Sequence, residues 1–162
     1  MEKKFKLGVI GAGFMASAIV NGALASNSLK KEDVIMSDVS LESLERAKNF
    51  GVSTTTDNLY LANNSEFVLF AVKPQSLSKV LDSIANTDCK RFISIMAGIK
   101  REKISNSIKG TKVARCMPNT PCSIGSGAVG IDVSAFSLAE KEFVKSLFSP
   151  IANVVFIEED KL

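Results

Sequence analysis

An apolar run that ends in closely spaced glycines constrains this chain more than any other feature. Lys6-Leu7-Gly8-Val9-Ile10 leads into Gly11-Ala12-Gly13-Phe14-Met15-Ala16, and a small-residue segment, Ser17-Ala18-Ile19-Val20, follows. Read as strand, tight turn and helix, this Gly-x-Gly-x-x-Ala pattern has a physical purpose at each fixed position. Gly11 permits the turn, Gly13 lacks the Cβ that would hold an anion off the backbone, and Ala16 lets the helix lie close to the strand. The helix N-terminus then offers backbone N–H groups, and the positive end of its dipole, to a phosphate. The pattern predicts a unit able to hold the pyrophosphate of a dinucleotide.

The rest of the chain repeats the alternation of β-prone runs and helical periods that a parallel sheet requires. Strands are predicted at Lys6–Ile10, Val34–Ser37, Phe67–Ala71, Phe92–Ile95, Val113–Met117 and Val154–Ile157, with shorter ones near Val52–Thr55 and Ala128–Ile131. Helices are predicted at Ala16–Ala25, Leu41–Phe50, Asn58–Ala62, Ser76–Ile84, Arg101–Ile108 and Leu138–Phe148. Ser40 and Ser137 are N-cap candidates, and Glu140, three residues after Ser137, completes a capping box. Gly51 suits the stop after Phe50. The expected fold is α/β: a Rossmann-like, doubly wound and largely parallel sheet with helices on both faces.

Composition narrows the chemistry. With 162 residues, 46% of them hydrophobic, the chain can bury one real core. Its apolar runs fall well short of the ~20 residues a membrane-spanning helix needs. The net charge of +3 comes from scattered basic residues, so no nucleic-acid partner and no membrane partner are expected. Met1-Glu2-Lys3-Lys4 runs straight into the first strand, which argues against a secretory leader, and three cysteines without metal-like spacing fit a reduced, cytoplasmic setting. No metal site is expected. The sequence contains no histidine, which excludes Ser-His-Asp and Cys-His catalysis, and any His acid or base, from these residues. Cys116 and Cys122 read as small packing residues, since a nucleophilic thiol would want a base.

Later strand ends carry the remaining candidates, because ligands of open α/β sheets bind outside the carboxyl ends of the strands. At the end of the second strand, Asp38 can accept hydrogen bonds from ribose hydroxyls, which favours NAD. Ser37 and Ser40 can donate to a 2′-phosphate, which favours NADP. The nearest basic residues, Arg46 and Lys48, lie on the next helix. Phe70-Ala71-Val72-Lys73-Pro74-Gln75 closes a buried strand, and Pro74 holds Val72 and Lys73 extended. Ser94-Ile95-Met96-Ala97-Gly98-Ile99 sets small residues where a flat ring can approach. Arg115-Cys116-Met117-Pro118-Asn119-Thr120-Pro121 is a stiff loop presenting uncharged polar groups.

Taken together, these stretches resemble, in order and over essentially the whole chain, the N-terminal domain of the pyrroline-5-carboxylate reductases. Met117-Pro118-Asn119-Thr120-Pro121 is the most diagnostic. The resemblance implies NAD(P)H-dependent reduction of the imine 1-pyrroline-5-carboxylate to L-proline, the last step of proline synthesis. It places Ile10, Gly11, Ala12, Gly13, Phe14 and Met15 around the pyrophosphate, with Ser37, Asp38 and Asn58 at the adenosine ribose. Ala71, Val72, Lys73 and Pro74 fall on the nicotinamide half with Met96 and Ala97, and Gly98 and Asn119 complete the cofactor set. Asp38 departs from the family's usual neutral or basic residue, so NADP and NAD both stay open. The family continues into a C-terminal helical domain that forms the dimer and carries the substrate loop. Residues 1–157 are thus expected to be the dinucleotide-binding domain and 158–162 the start of the connection. The expected fragment is mostly monomeric and inactive, while the full-length protein is a homodimer or higher. No proton donor is assigned; Lys73, Asn119 and Thr120 are the catalytic candidates. Alternatives are a β-hydroxyacid dehydrogenase or coenzyme F420:NADP oxidoreductase, or a nucleotide-sensing module without catalysis.

Overall fold

The structure, a computed structural model, describes residues 2–119 and 125–162. Its elements are β1 (Phe5–Ile10), α1 (Phe14–Ala25), β2 (Val34–Ser37), α2 (Leu41–Asn49), β3 (Ser53–Thr55), α3 (Asn58–Asn63), β4 (Ser65–Phe70), α4 (Leu77–Ser83), β5 (Arg91–Ser94), α5 (Arg101–Ser107), β6 (Lys112–Pro118), β7 (Gly127–Asp132), α6 (Leu138–Phe148) and β8 (Ala152–Phe156). Among the described residues they form an eight-stranded sheet in the order β3-β2-β1-β4-β5-β6-β7-β8. Every neighbouring pair is parallel except β6 and β7. The exception follows from the short connection between them, since a parallel return would need a crossover of a dozen or more residues. The expected doubly wound α/β architecture is the one observed.

The strands carry apolar side chains on both faces, and each face is covered. On one side Leu7, Val9, Leu69, Ile93 and Ile131 pack with Ile19 and Val20 of α1 and Val144, Leu147 and Phe148 of α6. On the other, Ile10, Val68, Phe70 and Phe92 pack with Leu61, Leu77, Val80, Leu81 and Ile104 from α3, α4 and α5. Helix starts follow the capping chemistry. Ser40 Oγ accepts the Ser43 N–H at 3.2 Å, and Ser137 Oγ accepts the Glu140 N–H at 3.3 Å while Glu140 Oε1 accepts the Ser137 N–H at 2.8 Å. β4 begins two residues earlier than the sequence pattern suggests. Ser65 can be buried there because its hydroxyl donates to Leu61 O at 2.7 Å. Among the described residues no helix is long and apolar enough to cross a membrane.

Residues 158–162 turn back onto the sheet instead of leaving it as a loose strand end. Glu159 Oε1 accepts the Arg101 N–H at 2.6 Å, and its carboxylate also faces the Arg101 and Arg115 guanidinium groups. The Glu159 N–H donates to Asp132 Oδ2 at 2.8 Å. Burial pushes the Asp132 and Glu159 carboxyl groups up, but hydrogen bonds from Ser134 and Arg101 and the nearby guanidinium charges outweigh it. Both stay below the ordinary carboxylate range.

Candidate functional site

The strand order reverses between β1 and β4: the chain moves from β1 out to β3 and returns on the other side of β1. Such a switch point opens a crevice at the carboxyl ends of the strands. The Gly-rich turn lies there, held from both sides. The Gly11 N–H donates to Ser37 O at 2.8 Å, and the Ala71 N–H donates to Ile10 O at 2.9 Å. Gly11 has a φ of +106°, and a Cβ on it would lie 2.6 Å from Ala71 O. Gly13 is different: its backbone is extended and a Cβ would meet nothing within 4 Å. Gly11 thus serves the packing of the strands, whereas Gly13 leaves open the space in front of the turn.

That space faces unused donors. The first bond inside α1 runs from the Ser17 N–H to Gly13 O, so the N–H groups of Phe14, Met15 and Ala16 have no earlier carbonyl in the helix to bond. No side chain caps this end and no acidic residue lies in its first turn. Ala12 stands apart from the rest of the turn. It is fully buried and its N–H donates to Asp38 Oδ2 at 2.8 Å, so an anion would not find this donor free.

Two concavities flank the turn and share Val72. One, of about 300 Å³, is lined by Ile10, Gly11, Ser37, Asp38, Val39, Thr56, Asn58, Val72, Ser76, Lys79, Val80 and Ser83. The other, of about 290 Å³, is lined by Met15, Ala71, Val72, Lys73, Pro74, Ile95, Met96, Ala97 and Pro118. Of the sequence-predicted residues, Ile10, Gly11, Ser37, Asp38 and Asn58 line the first, Met15, Ala71, Lys73, Pro74, Met96 and Ala97 line the second, and Val72 lines both, whereas Ala12, Gly13, Phe14, Gly98 and Asn119 line neither. Gly98 sits in the turn beyond Ala97 with a φ of +73°, and Asn119 extends the β6–β7 ladder. Its Oδ1 accepts the Ala128 N–H at 3.0 Å and its own N–H donates to Ala128 O at 3.3 Å. Lys73 is exposed and extended at the rim. Thr120 and Cys122 lie outside the described residues. Cys116 is fully buried, and burial pushes its thiol far up, which fits a packing role.

Hydrogen bonds fix the polar groups of the first concavity. Ser37, only 1% exposed, donates its hydroxyl proton to Asn58 Oδ1 at 2.7 Å. Asn58 Nδ2 donates to Ser83 Oγ at 3.4 Å, and Ser83 in turn donates to Val80 O at 2.6 Å. Ser37 therefore orients Asn58, and in this arrangement its hydroxyl proton is engaged by Asn58 Oδ1. Asp38 likewise has a structural partner on each oxygen, because Oδ1 accepts the Ser40 N–H at 2.9 Å while Oδ2 holds Ala12. It braces the turn from the end of β2. Sequence reasoning missed Thr56, Val39, Ser76, Lys79, Val80 and Ser83. The helical spacing of Ser76, Val80 and Ser83, with Lys79 beside them, was the available signal.

Residues 6–98 match the family described as NADP oxidoreductase, coenzyme F420-dependent. Among curated proteins, a pyrroline-5-carboxylate reductase of Synechocystis is 35% identical over an alignment covering 96% of this chain and 59% of the relative. Among solved structures, a pyrroline-5-carboxylate reductase from Coxiella burnetii superposes with a TM-score of 0.90 at 30% identity, over 98% of this chain and 61% of that one. A pyrroline carboxylate reductase of Plasmodium falciparum with NADP bound gives a TM-score of 0.84 at 28% identity, over 99% and 60%. The chain thus spans about three-fifths of the length of these relatives.

Proposed function

We propose, for a chain that belongs to the NADP oxidoreductase coenzyme F420-dependent family, that it is the dinucleotide-binding part of a pyrroline-5-carboxylate reductase. The single observation that carries this reading is the uncapped N-terminus of α1, opening onto free space at Gly13 with a concavity on either side. A pyrophosphate fits that arrangement: it needs close backbone approach, unspent N–H donors and room on both sides for its two nucleosides. The likeness to the reductases runs over 96% of the chain, well past residue 98, where the family match ends. It therefore includes the Arg115–Asn119 stretch, which favours the reductase over the related dehydrogenases.

In this reading Gly13, Phe14 and Met15 hold the phosphates through their backbone N–H groups. Asn58, oriented by Ser37 and Ser83, takes the adenosine ribose, with Val39 and Val80 on the walls around the base. Ala71 to Pro74, with Met96 and Ala97, line the nicotinamide half, and Lys73 stands at its rim. When bound, NADPH or NADH would supply a hydride to the imine carbon of 1-pyrroline-5-carboxylate which, with a proton taken up at the imine nitrogen, leaves L-proline and the oxidised cofactor. The work of this chain is to orient the cofactor and cover one side of it; orientation alone can be worth ~7–11 kcal/mol of barrier. Residues 1–157 form the cofactor domain and 158–162 begin the connection to a helical domain that completes the substrate site and the dimer, in the cytoplasm.

Calorimetric titration of the chain with NADPH and NADH, followed by an assay of cofactor oxidation with the imine, tests this. Expected are saturable binding, a monomer by sedimentation and no useful turnover. A folded chain that binds neither dinucleotide would refute the reading. Turnover by the monomer would place the catalytic groups within these residues, with Lys73, Asn119 and Thr120 to be replaced first.

A further inference from the structure

We infer that Lys79 is the cation that recognises a 2′-phosphate on the adenosine ribose, and so governs acceptance of NADPH relative to NADH. The inference rests on the dinucleotide reading of the groove. The basic residues that follow β2 in sequence are already engaged. Arg46 Nη2 donates to Ser43 Oγ at 3.1 Å and its guanidinium lies 5.3 Å from the Phe14 ring centre, while Lys48 pairs with Glu45 at 3.1 Å. The hydroxyls at the end of β2 are committed too: Ser37 donates to Asn58, and Ser40 Oγ caps α2. Asp38 spends a lone pair of each oxygen on a backbone N–H.

Lys79 approaches from the opposite wall. It is exposed, lines the same concavity as Asp38 and Asn58, and makes no ion pair or hydrogen bond among the described residues. It lies one turn before Ser83 on α4, and Ser83 is the residue that receives Asn58 Nδ2. Residues four apart share a helix face, so the Lys79 stem rises on the side of α4 that meets the ribose-binding Asn58. A long apolar stem with a free ammonium suits a phosphate at the mouth of a groove.

The test is calorimetry with NADPH and NADH on the intact chain, comparing wild type with Lys79→Gln, Lys79→Arg and Arg46→Gln. Lys79→Gln is expected to weaken NADPH about tenfold and NADH less than about twofold, the scale of one lost hydrogen bond to a charged group. Lys79→Arg should retain the wild-type ratio. Rising salt should erode the NADPH preference of wild type more than that of Lys79→Gln. Equal losses for both cofactors, no loss, or a selective NADPH loss in Arg46→Gln instead would overturn the assignment while leaving dinucleotide binding intact. Failure of folded wild type to bind either cofactor would overturn the dinucleotide reading and this inference with it.

Discussion

Gly13→Val separates the binding role of the turn from its structural role. Gly13 has φ −79° and ψ −166°, a region that a β-branched residue enters without strain, and no heavy atom lies within 4 Å of the position its Cβ would take. The fold should therefore lose at most about 1 kcal/mol, chiefly because Val is a poorer N-cap residue than Gly. The added side chain fills the space a pyrophosphate must occupy to reach the Gly13 and Phe14 N–H groups. A hydrogen bond to a charged group is worth about 1.5–3 kcal/mol, so losing two predicts an affinity drop of at least about a hundredfold. Gly11→Ala inverts the pattern. Its φ of +106° and the 2.6 Å approach of a Cβ to Ala71 O force the β1 and β4 strand ends apart. A loss of about 2–4 kcal/mol in stability is expected. Urea denaturation of both variants, with NADPH titration of whichever is folded, makes the comparison. Folded Gly13→Val with near wild-type affinity, or Gly11→Ala as stable as wild type, would refute the division of labour.

Asp38→Ala should destabilise the ligand-free chain by about 1–3 kcal/mol, because the Ala12 and Ser40 N–H groups both lose their acceptor; an unchanged urea midpoint would refute the bracing role of Asp38. Stability should also fall in acid. Asp132, Glu140 and Glu159 have folded pKa values below their ordinary values of 3.8, 4.5 and 4.5, so each contributes stability above those values that is lost as the pH drops through the lower folded ones. Urea midpoints measured from pH 7 to pH 3 should decline mainly below pH ~4.5, and Glu159→Gln should flatten part of that decline. A pH-independent midpoint across this range would count against the cluster.

The contrast between what the sequence discloses and what it hides is one of range. Strand β1, the Gly-rich turn and the Ser137 capping box are visible because each is fixed within a few residues by chain geometry. The same holds for the end of β4, where Pro74 dictates the local backbone. The contacts that give these pieces their roles cross the sheet. Asp38 reaches Ala12 over 26 residues, and Arg101 reaches Glu159 over 58. Ser37 meets Asn58 over 21 residues, which turns a plausible phosphate donor into the residue that orients its neighbour. Lys79 belongs to α4, five elements beyond β2 in chain order, and enters the groove only because the sheet reverses direction at β1. A reading that looks for the deciding cation just after β2 meets Arg46 and Lys48, whose partners lie on α2 itself or at the start of α1. In a doubly wound sheet, the motif locates the phosphates. The discriminating side chain can come from either wall of the crevice, and only the strand order says which residues form the second wall.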